Sequence, residues 1–289
     1  MKKTTIGCVI VSCILMIVGL SLIVVGGVFG GLSYLKDIAD NNKEISNDII
    51  STYTYRISGN YHSTISADSI DSFEIEVDKA KVLLKEHEED KIEVTVNNDK
   101  NVEVHVDGNA LQIEQNDVIF GEECEIIIYI PFNKVFHEVS CSLGDGSMTL
   151  HNVAATEIEL EVGAGEIEID YLESQNLSAE IGAGQCAVKN GSVQDAEVEV
   201  GMGQFTWNGM ISHNMEAECG IGQMSVYLEE EEEYYSYTLT SGIGKIGIGD
   251  SSYSGVTSKQ IDNVNANATL LLECGIGQIE IYFGNEIID

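Results

Sequence analysis

Four glutamates, Glu161, Glu180, Glu199 and Glu218, recur at a strict interval of 19 residues, and Glu273 falls in the same phase two repeats later. If each interval is one coil of a stacked β-structure, these carboxylates repeat about every 4.8 Å along one face. Carboxylates held by a rigid scaffold cannot spread apart, so one counter-charge relieves several repulsions together. The chemistry offered is attraction of divalent ions, a cationic peptide or a basic protein partner. The competing reading is a solvated face, because exposed carboxylates ~5 Å apart repel by only about 0.8 kcal/mol in water. Gln185, Gln204 and Gln223 repeat in the same way, and stacked amides can hydrogen-bond along a solenoid axis.

Other chemistry-bearing patterns are weaker. Gly242-Ile243-Gly244-Lys245-Ile246-Gly247 matches the dinucleotide signature G-x-G-x-x-G, yet the six sister copies lack the third glycine and no helix pattern follows, so no cofactor is expected. Ser33-Tyr34-Leu35-Lys36 matches S-x-x-K without a companion motif, and G-x-S-x-G is absent. With 48 Asp and Glu some carboxylate pair always has a hydrolase-like spacing, which leaves a wall-polysaccharide enzyme as the outside alternative. Cys124, Cys141, Cys186, Cys219 and Cys274 fall on inward phases of their strands, and neither they nor the six histidines have a metal spacing. In serial stacking Cys219 and Cys274 stand two coils apart, roughly 9.6 Å, beyond disulfide reach. The expectation is a protein with no catalytic, cofactor or metal site.

The elements that must hold the glutamates follow from seven copies of G-x-G, whose first glycines are Gly144, Gly163, Gly182, Gly201, Gly220, Gly242 and Gly275. The first four intervals are 19 residues, the signature of a solenoid in which each coil stacks on the last. Alternating apolar residues on both sides give four inward columns. One runs Leu143, Val162, Ile181, Val200, Cys219, Ser241, Cys274, and its partner after the corner runs Met148, Ile167, Cys186, Phe205, Met224, Ile246, Ile279. Each coil is therefore strand, glycine corner, strand, with glycine expected to supply positive φ at the corner. The fold class is all-β, a parallel β-solenoid of about 19-residue coils preceded by one transmembrane helix. The intervals widen to 22 residues around Glu229 to Glu233 and to 33 across 250–265, read as loops on one edge.

No charged residue stands between Lys3 and Lys36, and Ile6 to Leu32 is almost wholly apolar, enough to span a bilayer. Lys2 and Lys3 before it and Asp37, Asp40, Glu44 and Asp48 after it place the N-terminus in the cytoplasm and the repeats outside. A cleaved signal peptide is the alternative, though the apolar run exceeds the usual h-region. Gly26/Gly30 and Gly27/Gly31 have the spacing that lets membrane helices approach. Taking Lys2 and Lys3 from the 14 basic residues leaves 12 against 48 acidic ones, so the external part carries −36 formally. Nucleic acid and anionic polymers are repelled, while cations and basic proteins are favoured.

The expected organisation is a cytoplasmic tip and anchor at 1–32, a polar juxtamembrane stalk at 33–68, irregular first coils forming a cap at 69–131, regular coils at 132–284 and a tail at 285–289. The alternating strands of 69–131, their close at Tyr129-Ile130-Pro131, and the G-x-G units ending in Glu273-Cys274-Gly275-Ile276-Gly277-Gln278-Ile279-Glu280-Ile281 resemble the bacterial β-strand-repeat family catalogued as adhesin candidates. The resemblance spans roughly residues 70–284. It implies a surface-exposed parallel β-solenoid, with some relatives in cell-envelope stress systems, and it carries over no catalytic residue. The expectation is a membrane-anchored, extracytoplasmic, non-enzymatic interaction protein, adhesin-like or part of envelope-stress sensing. A purely structural surface protein is the alternative. Oligomeric state is not legible.

Overall fold

The computed structural model describes residues 53–56, 61–97, 101–115 and 124–284. The apolar segment 6–32, Ser33 to Lys36 and the tail 285–289 lie outside the described residues. No helix among the described residues is long and apolar enough to cross a membrane. These residues form an all-β, solenoid-like repeat, with short 3-10 turns at Ala67–Ser69 and Glu232–Tyr234.

Its regular part consists of β8 (Val135–Leu150), β9 (Val153–Val162), β10 (Glu166–Ile169), β11 (Leu172–Ile181), β12 (Gln185–Val200), β13 (Gln204–Cys219) and β14 (Gln223–Leu228). All pair in parallel at the 19-residue offset, as in Ile158↔Leu177↔Ala196↔Met215 and Ile167↔Cys186↔Phe205↔Met224, apart from Gly191–Val193, which slip to an 18-residue offset against Gly209–Ile211. Residues before each G-x-G corner build a first sheet and residues after it a second. Both inward columns named above are buried, as are the columns that flank them two residues away. Ser241 is the polar member, and its hydroxyl donates to the Gly244 carbonyl at 3.1 Å.

The corner glycines serve a purpose other than the expected one. Of the seven corners, positive φ occurs only at Gly146, at +107°. The others are glycine because successive coils touch there: a Cβ on Gly184 would lie 2.2 Å from the Gly165 carbonyl oxygen. That approach lets the ladder run through the corner, with Ala183 N–H donating to Gly163 O at 2.7 Å and Met202 N–H to Gly182 O at 2.7 Å. Gly191 has a different reason, since a Cβ there would meet the buried Trp207 ring at 2.2 Å.

The N-terminal end is more elaborate than a stalk and a cap. β1 (Tyr53–Arg56) and β2 (Tyr61–Ser66), inside the segment read as stalk, are strands of the sheet. β3 (Ser72–His87) is a full coil in parallel register with β8, and Asp78-Lys79-Ala80 turns its corner without glycine. β4 (Lys91–Asn97), β5 (Val102–Asp107), β6 (Ala110–Gln115) and β7 (Cys124–Pro131) complete the end. β6 and β7 lie parallel to the two halves of β3. β5 and β4 then pair antiparallel to them, followed by β1 and β2. Reversing strand direction ends the solenoid's propagation.

At the other end the coils are not stacked in chain order. β15 (Tyr235–Ser241) and β16 (Lys245–Ile248) form the outermost coil, while β19 (Ala268–Cys274) and β20 (Gln278–Phe283), last in sequence, insert between that coil and β13/β14. The stretch 250–265, read as a loop, carries β17 (Ser251–Ser254) and β18 (Thr257–Ile261), which pair antiparallel to β16 and β15 and cover the last edge. Insertion overturns the two-coil separation of the cysteines: Cys219 and Cys274 are direct partners in register, both buried and free.

Gly184→Ala should lower stability by about 1–3 kcal/mol through overpacking against the Gly165 carbonyl, read by chemical denaturation of the full chain. Deleting residues 182–200 removes one whole coil and leaves matching edges, so cooperative unfolding should persist. Deleting residues 262–289 empties the slot beside β13 and β14, and should cause aggregation through the unpaired edges.

Candidate functional site

The insertion creates a continuous acidic row on the outer side of the first sheet. Glu161, Glu180 and Glu199 are paired in register along β9, β11 and β12, and Glu218 and Glu273 continue the row on β13 and β19. Glu273 is therefore the immediate neighbour of Glu218, and the row has five members. At one end Ser142 donates to Glu161 Oε2 at 3.3 Å; at the other the row stops at Thr240. Beyond Ser142 the register continues through Glu76, Glu114 and Glu103, which sequence reasoning missed because the β3 corner carries no G-x-G.

Two further outward columns run beside it on the same strands. Glu159, Ser178, Glu197 and Glu216 form the nearer, and Glu138, Glu157, Asn176, Asp195 and Asn214 the farther. Together they line a shallow hollow of about 440 Å³. Neither β9, β11, β13 nor β19 contains a lysine or arginine. Within the hollow, polar neighbours answer only part of the charge: Asn214 Nδ2 donates to Asp195 Oδ1 at 2.7 Å, and His213 Nδ1 stands 3.7 Å from Asp195 Oδ2.

The electrostatics follow from this crowding. Partial burial, and then the carboxylates of Glu161 and Glu199, push the Glu180 carboxyl above its ordinary value. Burial and then Glu273 and Glu199 do the same to Glu218, and burial and then Glu114 to Glu76. A carboxylate cluster on the second sheet is partly neutralised: Lys189 bridges Glu168 and Asp170, with His151 Nδ1 2.5 Å from Asp170 Oδ2. Lys189, and secondarily His151, hold the Asp170 carboxyl below its ordinary range.

The glutamine row behaves differently from expectation. Gln185, Gln204, Gln223 and Gln278 are in register along the second sheet, but no side-chain hydrogen bond links the first three to one another, and Gln278 donates to Glu280 at 2.6 Å. The Gly242 corner leads into strand β16, not into a helix. No group of three or more His, Cys, Asp or Glu among the described residues is arranged to hold a metal ion.

Residues 70–264 match the family profile described as Toastrack DUF4097, about two thirds of the chain. The chain belongs to that family. Solved structures with a similar trace include a candidate cell adhesion protein from Clostridium sporogenes, 15% identical, covering 78% of this chain and 98% of its own at a TM-score of 0.36. A candidate adhesin from Bacteroides fragilis is 12% identical over 78% of this chain and 98% of its own, at a TM-score of 0.45. A candidate lipid-binding protein from Parabacteroides distasonis is 16% identical over 77% and 96%, at 0.35. No curated protein matches. The Toastrack match stops before the inserted coil at 268–283, so four of the five ladder coils lie wholly within it, while Glu273 is contributed from beyond.

A carboxyl whose pKa is raised on folding binds its proton more tightly in the folded chain, so stability grows as pH falls from neutrality and is complete below the ordinary value of 4.5. Asp170 has the opposite sign and loses its contribution only lower, around and below 3.8. The melting temperature should therefore rise by about 2–4 °C between roughly pH 7 and pH 5. In Glu180→Gln/Glu218→Gln the rise should be largely gone.

Proposed function

We propose that this Toastrack protein is an extracytoplasmic, non-enzymatic interaction module, anchored through residues 6–32, whose acidic first sheet receives a cationic partner. The observation that carries the reading is the in-register row Glu161, Glu180, Glu199, Glu218 and Glu273, flanked by the hollow of Glu138, Glu157, Glu159, Asp195, Glu197 and Glu216, with no lysine or arginine on β9, β11, β13 or β19 and the lysine of β12, Lys189, engaged by Glu168 and Asp170 on the second sheet. Spacing by parallel strands fixes the carboxylates about 4.8 Å apart, so the scaffold bears the repulsion in advance and a polycation binds without ordering the site. A basic peptide or basic protein segment is favoured over a single divalent ion. Carboxylates in one row all face the same way and cannot wrap an ion with the six to eight oxygens calcium takes.

The location supports this reading. A formal charge of −36 beyond the apolar segment suits a soluble surface module and steers cations to it. Adhesion and envelope-stress sensing, the roles the family resemblance implies, both need such a recognition surface and no catalytic group.

Titration calorimetry of the full chain with an oligolysine peptide tests the ladder. Binding should weaken at least tenfold when Glu161, Glu180, Glu199, Glu218 and Glu273 are changed together to Gln, and should also fall with added salt. Unchanged binding in the Gln variant at matched ionic strength would mean that the row is only a solvated face. Topology is checked separately: protease added outside opened-wall cells should digest the repeats while an N-terminal tag stays protected.

A further inference from the structure

The middle residues of the G-x-G corners form a second continuous feature, at the edge between the two sheets. Corner backbone bonds place them in one file: Met202 N–H donates to Gly182 O, Ile221 to Gly201 O, Ile276 to Gly220 O and Ile243 to Gly275 O, all at 2.7–2.8 Å. The spatial order is Ala164, Ala183, Met202, Ile221, Ile276, Ile243, so insertion of the last coil sets Ile276 between Ile221 and Ile243. These side chains point away from the core; Met202 is 67% exposed, Ile221 49%, Ile276 53% and Ile243 77%. A ridge of six apolar residues about 24 Å long is unusual on so charged a surface, where exposed apolar groups normally stand singly.

What flanks the ridge differs on its two sides. In the four coils of Ala183, Met202, Ile221 and Ile276 the glutamate row stands three residues before the corner residue and the glutamine row two residues after it, whereas Ala164 is flanked by Glu161 and Glu166, and Ile243 by Thr240 and Lys245. The coils read Glu180-Ile181-Gly182-Ala183-Gly184-Gln185, Glu199-Val200-Gly201-Met202-Gly203-Gln204, Glu218-Cys219-Gly220-Ile221-Gly222-Gln223 and Glu273-Cys274-Gly275-Ile276-Gly277-Gln278. Such a strip complements itself in one orientation. When two ridges meet about a two-fold axis parallel to the solenoid axis, the first-sheet flank of one copy opposes the second-sheet flank of the other. In those four coils glutamate then faces glutamine, and the amides of Gln185, Gln204 and Gln223, unpaired in the single chain, can donate to carboxylates; only in the Ala164 coil does Glu161 oppose Glu166. About a perpendicular axis glutamate faces glutamate, and the two rows repel.

We propose that the corner ridge is the contact between two copies of this chain lying parallel, with Met202, Ile221, Ile276 and Ile243 packed across the axis and the Glu and Gln rows paired on either side. A lipid surface is a poorer occupant, because the adjoining carboxylates are repelled by anionic headgroups. The contact is narrow, on the order of 350 Å² per copy, below the usual size of a stable interface, so association should be weak and concentration-dependent. Parallel alignment leaves the outer acidic hollow of each copy free but engages the glutamate row, so self-association and a polycation should compete for that row while the hollow stays open to the partner.

The test uses the full chain with Cys8→Ser and Cys13→Ser, its other five cysteines being buried. Ala183→Cys and Ile243→Cys are each treated with a short bifunctional maleimide. Parallel pairing brings each position to its own copy, so both variants should form covalent dimers. Sedimentation should show self-association weakened at least tenfold by Met202→Asp/Ile221→Asp, and likewise by Gln185→Glu/Gln204→Glu/Gln223→Glu, with unchanged melting temperature. Cross-linking only in a mixture of Ala183→Cys with Ile276→Cys would indicate the antiparallel pair and overturn the proposal. A chain that sediments as a monomer at all concentrations, or association indifferent to the three added glutamates, overturns it too.

Discussion

The constraint on which everything else depends is the contact of one coil's corner with the next through backbone alone. At Gly184 and Gly203 an added Cβ would come within 2.2 Å of the preceding coil's carbonyl oxygen, so the corner accepts no side chain at the second glycine. Without that obstruction the amide of each middle residue reaches the carbonyl one coil back, and pairing continues from the first sheet into the second. Register is thereby fixed twice per coil. In parallel strands a slip of one residue would turn every inward side chain outward, so the corner bonds and the apolar columns enforce the same 19-residue offset. The glutamate row, the glutamine row and the apolar ridge are by-products of that one repeat distance.

Such a scaffold explains why like charges can be held together. In a flexible chain five adjacent carboxylates separate; here the parallel ladder and the buried column beneath it, from Val162 to Cys274, leave them only rotamer freedom. The repulsion remains in the folded state as raised affinity for protons at Glu180 and Glu218. By contrast, Glu168 and Asp170 on the second sheet share a counter-ion in Lys189, so that cluster offers a partner much less unbalanced charge. Two acidic clusters of similar composition thus differ in what they can do, according to whether one lysine faces them.

The regular coils were legible because the same residues serve locally and globally: the alternation that makes a strand is the one that fills the interior, and G-x-G marks each turn. Legibility failed where one of these signals was missing. Asp78-Lys79-Ala80 turns a corner without glycine, which hid β3 as a full coil and with it the acidic extension through Glu76. Residues 53–66 are polar in composition but alternate, and the antiparallel strands they form need only edge pairing, not a buried period of their own. The order of the last coils was hidden for a different reason. Period gives the spacing of coils along the chain and carries no information about which coil a returning segment joins.

A signal for the insertion does exist, in similarity and not in period. The hexapeptides 218–223 and 273–278 are identical, Glu-Cys-Gly-Ile-Gly-Gln, and they are the two that stack directly. Identical segments in parallel register bury identical shapes against each other, as at Cys219 on Cys274, and extend the match to Tyr227 stacked on Tyr282 at 4.7 Å. Stacking in chain order would set Thr240 between Glu218 and Glu273, and Lys245 between Gln223 and Gln278. It would break the acidic row and put a cation in the glutamine row. By returning to fill the inner slot, the last coil sorts like against like and leaves Thr240, Ser241 and Lys245 at the end, where β17 and β18 close the edge. The same residues that make the inner slot specific for this coil therefore also make the acidic surface continuous.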